Sequence, residues 1–272
     1  MCAWFASRPL SREANQGCIA LVSPGPVIAT DWPSRGMPVM AGDVARDLDP
    51  ATCLSATTFI DCEHPAIVAA ARAFDVETDP VARAVAAFEF VQDGVEYEFM
   101  AHSDPQEYVA SHVLAQQRGF CIPKAVLLCA LGRALGVPTA LVLSDLTDHT
   151  LPPRITDVMG TNTMYQHGLN AFHLDGQWVL ADASLSAGIV NRKRYRPIVF
   201  DGASDALHSS TRLDGTPHAH YSAFHGLYPD LPYDEGSLTR FPGQFRFGDH
   251  AAVTAPVCRL SNSCGASIPR LV

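Results

Sequence analysis

The segment 118–140, RGFCIPKAVLLCALGRALGVPTA, constrains this chain more than any other stretch. A helix is expected to begin about Cys121, because Pro123 is tolerated only in a first turn. Gly136 supplies the left-handed terminating position, and Val137-Pro138 prevents continuation. Directly afterwards comes TALVLSDL, a continuous apolar run of strand length, which predicts a buried strand. A long apolar helix that runs at once into such a strand is expected to lie against the sheet it feeds.

The flanking segments agree with a mixed architecture. Helical periodicity starts with HPAIVAAARAF at residues 64–74. A second helix is marked by Asp79-Pro80 as N-cap and first turn and by Asp93-Gly94 as its stop, and the short strand VEYEF follows. Residues 145–165 are rich in proline and threonine and are expected to form a loop. HGLNAFHLDGQWVLADAS then predicts a hairpin closed by Asp175-Gly176, the pair that suits a two-residue type I′ turn. Beyond residue 186 only short segments and turns are expected. The fold class is therefore α+β, with a helical N-terminal half packed on an antiparallel sheet. The domain limits expected are an irregular extension over 1–48, one catalytic domain over 49–245 and a tail over 246–272. Met37 and Met40 precede the regular pattern, and either is a possible start of the chain.

Composition narrows the function classes. A length of 272 residues with 47% hydrophobic content is enough for a sizeable core. No run reaches the roughly 18 to 20 apolar residues of a membrane span. CIALVSPGPVIA is too short, and too broken by proline, to serve as a secretory signal, so a cytoplasmic location is expected. The net charge of −9 argues against phosphate-backbone binding and hence against a nucleic-acid partner. The basic run at residues 191–196 is read as a solvated loop. The eight cysteines form no CxxC pair, which disfavours a disulfide scaffold and structural zinc. His218, His220 and His225 are read as loop histidines rather than metal ligands. Without a GxGxxG after a strand or a GxxxxGK[ST], no nucleotide cofactor has an anchor, and neither a cofactor nor a metal is expected.

The hairpin turn fixes a register. Counting back from Asp175-Gly176, Leu174 faces Gln177, His173 faces Trp178, Ala171 faces Leu180 and Leu169 faces Asp182. His167 lies two residues past Leu169 on the same face, so it becomes a diagonal neighbour of Asp182 at about 7 to 8 Å between backbones, close enough for imidazole and carboxylate to meet. His173 is about 13 Å along the strand from that rung and is assigned a structural role.

The cysteine at the helix start complements this pair. A helix N-terminus offers free backbone N–H groups and the positive end of the dipole, which favours an anion such as a thiolate. Lys124, one turn along, is expected to add positive charge, and a nearby imidazolium would do the same. The backbone N–H of Cys121 is a candidate to hold an oxyanion. Cys129, two turns deeper among Leu127, Leu128, Ala130 and Leu131, has the setting of a small core residue, and Cys2, Cys18, Cys53, Cys62, Cys258 and Cys264 have no comparable environment.

Gly119-Phe-Cys121, the ending ALGRALGVP, the strand-opening His167, the Asp175-Gly176 turn, Trp178 and Asp182 together resemble the transglutaminase-like superfamily of papain-like cysteine enzymes, particularly its small bacterial members. The resemblance covers about residues 57–185 and extends more faintly to about 245, through FDGASDALH and YPDLPYDE. It implies Cys121 as nucleophile, His167 as base and Asp182 as the residue that orients and stabilises the imidazolium. Leu169 stands where the family often has an aromatic residue, and Ala183-Ser184 where Pro-Thr or Ala-Thr is common. The second oxyanion donor has three candidates, Gln116, Gln117 and Tyr97. The activity implied is cysteine-dependent acyl transfer at an amide-type carbonyl, through a thioester resolved by water (peptidase or amidase) or by an amine (transglutaminase or amide-forming enzyme). Its substrate would be a peptide, a protein or a small amide or amine. The alternative is a catalytically silent binding module that retains the fold. A serine hydrolase is excluded by the lack of a GxSxG before a helix.

Overall fold

The computed structural model describes residues 46–74, 79–99 and 104–233. Apart from residues 46–48, the expected N-terminal extension lies outside the described residues, as do the tail and residues 234–245 of the expected domain. Helices α1 (Pro65–Ala71), α2 (Pro80–Gly94), α3 (Ala110–Gln116) and α4 (Cys121–Ala134) come first, with the two-residue strands β1 (Glu96–Tyr97) and β2 (Arg118–Gly119) between them. Then follow β3 (Thr139–Asp148), α5 (Pro153–Met159), β4 (Thr163–Leu174), β5 (Gln177–Ala181), α6 (Ala187–Lys193) and β6 (Ala219–Tyr228). The main sheet has the order β5-β4-β3-β6 and is antiparallel throughout, while β1 and β2 form a separate parallel pair.

Helix α4 is the axis of the fold. From Cys121 through Arg133 every residue is buried, as an all-round apolar sequence requires. It packs on β4 and β3, and α1, α2 and α3 cover the rest of its surface. Leu127, Leu128 and Leu131 are fully buried, each contributing about 1.5–3 kcal/mol of transfer free energy. The helix ends as its sequence demands: Gly136 has φ +76°, and the Val137 N–H donates to the Gly132 carbonyl at 2.9 Å.

Two buried cations on α4 bind carbonyls rather than carboxylates. Arg133 donates from Nε to Thr139 O at 3.0 Å, from Nη1 to Ser55 O at 2.8 Å and from Nη2 to Pro229 O at 2.7 Å, so one side chain holds three distant segments together. Lys124 Nζ donates to Gln92 O at 3.1 Å and Val95 O at 2.8 Å, closing the C-terminus of α2. Its expected role as extra positive charge beside Cys121 is corrected, because the ammonium is committed to those carbonyls. Burial pulls the Lys124 ammonium down to about 7, against the opposing charges of Asp93 and Asp182.

Three expectations for the second half need correction. The loop over 145–165 is shorter than expected: β3 runs to Asp148, Pro152 and Pro153 open α5, and β4 begins at Thr163. Proline here starts a helix, as it does at any first turn, instead of marking a loop. The basic run is the end of α6, where Arg192 and Lys193 sit in the last turn and Arg194 closes it at φ +57°. His220 and His225 lie on β6, and His218 is buried just before it. The strand draws its hydrogen bonds from the edge of β3, so its pattern is set by a partner distant in sequence.

Candidate active site

The hairpin supplies the first half of the site. Asp175 at φ +48° and Gly176 at φ +82° form the two-residue turn, and the rungs Leu174–Gln177, His173–Trp178 and Ala171–Leu180 are all present. The rung expected between Leu169 and Asp182 is not made, since β5 ends at Ala181 opposite Asn170 and the Asp182 N–H donates instead to Ala206 O at 2.9 Å. Asp182 leaves the ladder with its side chain still directed to His167, and His167 Nε2 lies 2.6 Å from Asp182 Oδ2. His173 packs edge-on against Trp178, at a centroid distance of 5.2 Å, at the far end of the hairpin.

The second half comes from α4. No side chain caps its N-terminus, where Phe120 takes the N-cap position and Cys121 the first helical one. The first turn is pressed onto β4 at Gly168, where an added Cβ would lie 2.8 Å from Ile122 Cα. Pleat alternation then separates the faces. Asn170 turns towards α4 and donates to Ala125 O at 2.8 Å, whereas Leu169 joins Trp178 and Leu180 on the opposite side. By the same alternation His167 falls on the Leu169 side, and it meets Cys121 where the first turn of α4 abuts its neighbour Gly168. Its Nδ1 is buried without a hydrogen-bond partner of good geometry, and the Cys121 sulfur is close enough to stabilise the imidazolium.

The carboxylate is heavily coordinated. Asp182 Oδ2 also accepts from Tyr221 Oη at 2.8 Å and lies 3.4 Å from His208 Nε2, and Oδ1 accepts from the Ser184 N–H at 2.9 Å. Burial alone would raise the Asp182 carboxyl, but the charges of His167 and His208 and the bonds from His167 and Ser184 hold it well below the ordinary carboxylate range. Burial likewise disfavours charge on His167, yet Asp182 and Cys121 outweigh it and hold the imidazolium up to about 10. The arrangement keeps a buried imidazolium–carboxylate pair charged at neutral pH. Burial pushes the Cys129 thiol up to about 12, although its sulfur accepts a bond from Asn170 Nδ2 at 3.1 Å.

His208 and Tyr221 were missed by the sequence reading. His208 sits in the FDGASDALH segment, and its only signal was that faint resemblance. Tyr221 lies on β6, which the sequence does not mark. Burial lowers the His208 imidazole, against the pull of Asp182, and its Nε2 lies 3.2 Å from Ser184 Oγ. His167, Asp182 and His208 are also the group among the described residues whose donor atoms, all within 4.8 Å of one another, have the geometry to hold a metal ion. In the structure those atoms bind one another.

A cavity of about 140 Å³ opens beside His167, walled by Tyr97, Phe99, Leu146, Ile155 and Met164. Of the three candidates for the second oxyanion donor only Tyr97 lines it. Gln116 and Gln117 are exposed at the end of α3. Burial, with the nearby charges of Cys121 and Asp182, raises the Tyr97 phenol well above its usual value, which keeps it a protonated donor.

No helix among the described residues is long and apolar enough to cross a membrane. Among curated proteins none matches the chain. Solved structures with some likeness include a candidate cysteine protease from Cytophaga hutchinsonii, at 19% identity and a TM-score of 0.39, with 66% of this chain and 55% of that one covered. The periplasmic domain of TgpA from Pseudomonas aeruginosa follows at 20% identity and 0.35, with half of each chain covered. Arylamine N-acetyltransferase from Salmonella typhimurium gives 12% identity and 0.32, covering 70% of this chain and 71% of the other. The chain thus spans about half the length of the first two. Residues 68–183, a segment that contains Cys121, His167 and Asp182, match the family model of the transglutaminase-like superfamily.

Proposed function

We propose that this protein is a cysteine-dependent acyl-transfer enzyme with Cys121 as nucleophile, His167 as acid and base and Asp182 as the group that orients and charges the imidazole. The observation that carries the reading is the buried 2.6 Å His167–Asp182 pair, with the second ring nitrogen left over on the side of Cys121. Cys121 attacks an amide carbonyl as its thiolate, forming the S–C bond and moving the carbonyl electron pair onto oxygen. The Cys121 N–H at the helix start and the Tyr97 hydroxyl are the donors assigned to that oxyanion. Collapse of the tetrahedral species breaks the C–N bond, and His167 gives its proton to the departing amine. The neutral imidazole then takes a proton from water or from an amine as either attacks the thioester, and the sulfur leaves as thiolate. Water makes the protein a peptidase or amidase, and an amine makes it a transamidating enzyme, with residues 49–245 taken as the catalytic domain.

The test is an unbiased search by mass spectrometry for an acyl group on Cys121 after exposure of the protein to cell extract or to a peptide amide library. A mass increase on the Cys121 peptide that hydroxylamine removes is the expected result. Absence of any such adduct in the wild type and in an Asp182→Asn variant with slowed turnover would favour the silent binding module.

A further inference from the structure

The cavity beside His167 does not end in neutral surface. It adjoins a second cavity of about 430 Å³, and Thr150, Tyr195 and Lys193 line both, with the Thr150 and Tyr195 hydroxyls hydrogen-bonded to each other. The two differ in chemistry. The first is walled chiefly by apolar side chains, and its volume is near that of an engineered cavity of about 150 Å³ that accommodates one benzene ring. The second is walled by His149, Lys193 and Arg212 and by no carboxylate.

The cations at this junction, Lys193, Arg212 and, at the rim of the apolar cavity, Arg154, make no salt bridge among the described residues. Arg212 is held by Nε and Nη2 on the Lys193 carbonyl at 3.2 and 2.8 Å, which fixes its guanidinium beside Lys193 and leaves Nη1 over. The nearby carboxylates, Asp148 in the wall of the apolar cavity and Asp214 within reach of the Arg212 charge, take their hydrogen bonds from threonines and not from the cations. Asp148 Oδ1 accepts from the Thr150 N–H at 2.7 Å and its hydroxyl at 2.6 Å, and Asp214 Oδ1 accepts from the Thr216 N–H at 3.0 Å and its hydroxyl at 2.6 Å. In a chain of net charge −9, a positive wall continuous with the pocket beside His167 suits an anion on the ligand.

Resting on the reading of Cys121 and His167 as a reacting centre, we propose that the substrate places one aromatic or branched aliphatic side chain in the apolar cavity and a carboxylate against Lys193 and Arg212. The carboxylate belongs either to a peptide C-terminus or to an acidic side chain next to the apolar one. The apolar cavity holds one side chain, so the substrate is selected at a single residue. The cationic wall selects the charge beside it. A guanidinium already oriented by the Lys193 carbonyl loses little freedom on binding, which suits it to a carboxylate.

The test measures binding by calorimetry to the full chain carrying Cys121→Ala, so that it is independent of turnover. The probes are N-acetylphenylalanine, its neutral amide, N-acetylglycine, and the diamide of phenylalanyl-aspartate, in which the carboxylate is a side chain. The proposal expects N-acetylphenylalanine or the aspartyl probe to bind at least tenfold more tightly than the neutral amide and than N-acetylglycine, and the tighter of the two names the source of the carboxylate. Lys193→Gln and, separately, Arg212→Gln should each weaken the acid probe at least fivefold and leave the neutral amide unchanged, with melting temperatures checking that both variants fold. Equal binding of acid and amide, equal binding of the glycine and phenylalanine acids, indifference to both substitutions, or no binding of any probe at millimolar concentration would each overturn it. Failure of the acyl-trapping experiment with these binding differences intact would instead remove the acyl-transfer reading and leave the ligand assignment standing.

Discussion

His167 and Asp182, fifteen residues apart in the chain, meet at 2.6 Å with both side chains buried, because a two-residue turn at Asp175-Gly176 sets the rungs of the hairpin between them. The pair is also held from outside the hairpin by Tyr221 and His208. Asp182→Asn keeps the shape and removes the charge that favours the imidazolium. Turnover of any amide substrate is expected to fall by at least about a hundredfold while Cys121 remains in place. Kinetics and a thermal melt on the same preparation check this, and an unchanged kcat would remove Asp182 from the mechanism.

Gly168 links backbone packing to chemistry. Gly168→Ala places a Cβ 2.8 Å from Ile122 Cα, and a helix backbone does not yield as a flexible side chain does. Stability should fall by about 1–3 kcal/mol through overpacking. Activity should fall by about a hundredfold, because the first turn carrying Cys121 is displaced from His167. Denaturant unfolding and rate measurement separate the two effects, and full activity would show that the close approach is not needed.

Arg133 is expected to matter for folding alone. Arg133→Met leaves the carbonyls of Ser55, Thr139 and Pro229 without their donor and should cost about 3 kcal/mol, read from denaturant midpoints. Once folded, the variant should alkylate at Cys121 as the wild type does.

Stability should fall on the acid side of pH 6.5, while two buried groups oppose each other on the alkaline side. His167 rises from 6.5 unfolded to about 10 folded, which loses stability as pH rises through that window, whereas Lys124, lowered from 10.5 to about 7, gains it over nearly the same window. His218, buried against Tyr195 at a ring-centroid distance of 3.7 Å, is lowered by burial from 6.5 to about 4, so the unfolded chain binds more protons there and stability falls as pH drops. The lowered His208 steepens the same acid flank. His218→Phe keeps a ring on Tyr195 and should flatten the acid flank. An unchanged acid flank in unfolding measurements between pH 4 and 6.5 would contradict this.

What the sequence made legible was local. The Gly136 stop, the Asp175-Gly176 turn and the proline-tolerant first turn of α4 each carry their geometry within a few residues, and they place Cys121, His167 and Asp182 without knowledge of the rest. His208 and Tyr221 reach Asp182 only because residue 206 bridges to the end of β5 and β6 pairs with β3, contacts that no short window encodes. Lys124 shows the converse error. Its position on the helix was predicted, but a buried ammonium goes where unsatisfied carbonyls are, and the end of α2 supplied them.

The most direct test of the central claim is the rate at which iodoacetamide alkylates Cys121 at pH 6, followed by peptide mapping, in the wild type, His167→Ala and His173→Ala. Cys129 serves as the internal control, since its thiol is fully buried and pushed up to about 12. The account predicts label on Cys121 far ahead of Cys129, a loss of at least tenfold in the Cys121 rate for His167→Ala and no change for His173→Ala. An undiminished rate in His167→Ala, or a loss in His173→Ala instead, would contradict the pairing of Cys121 with His167 and the mechanism built on it.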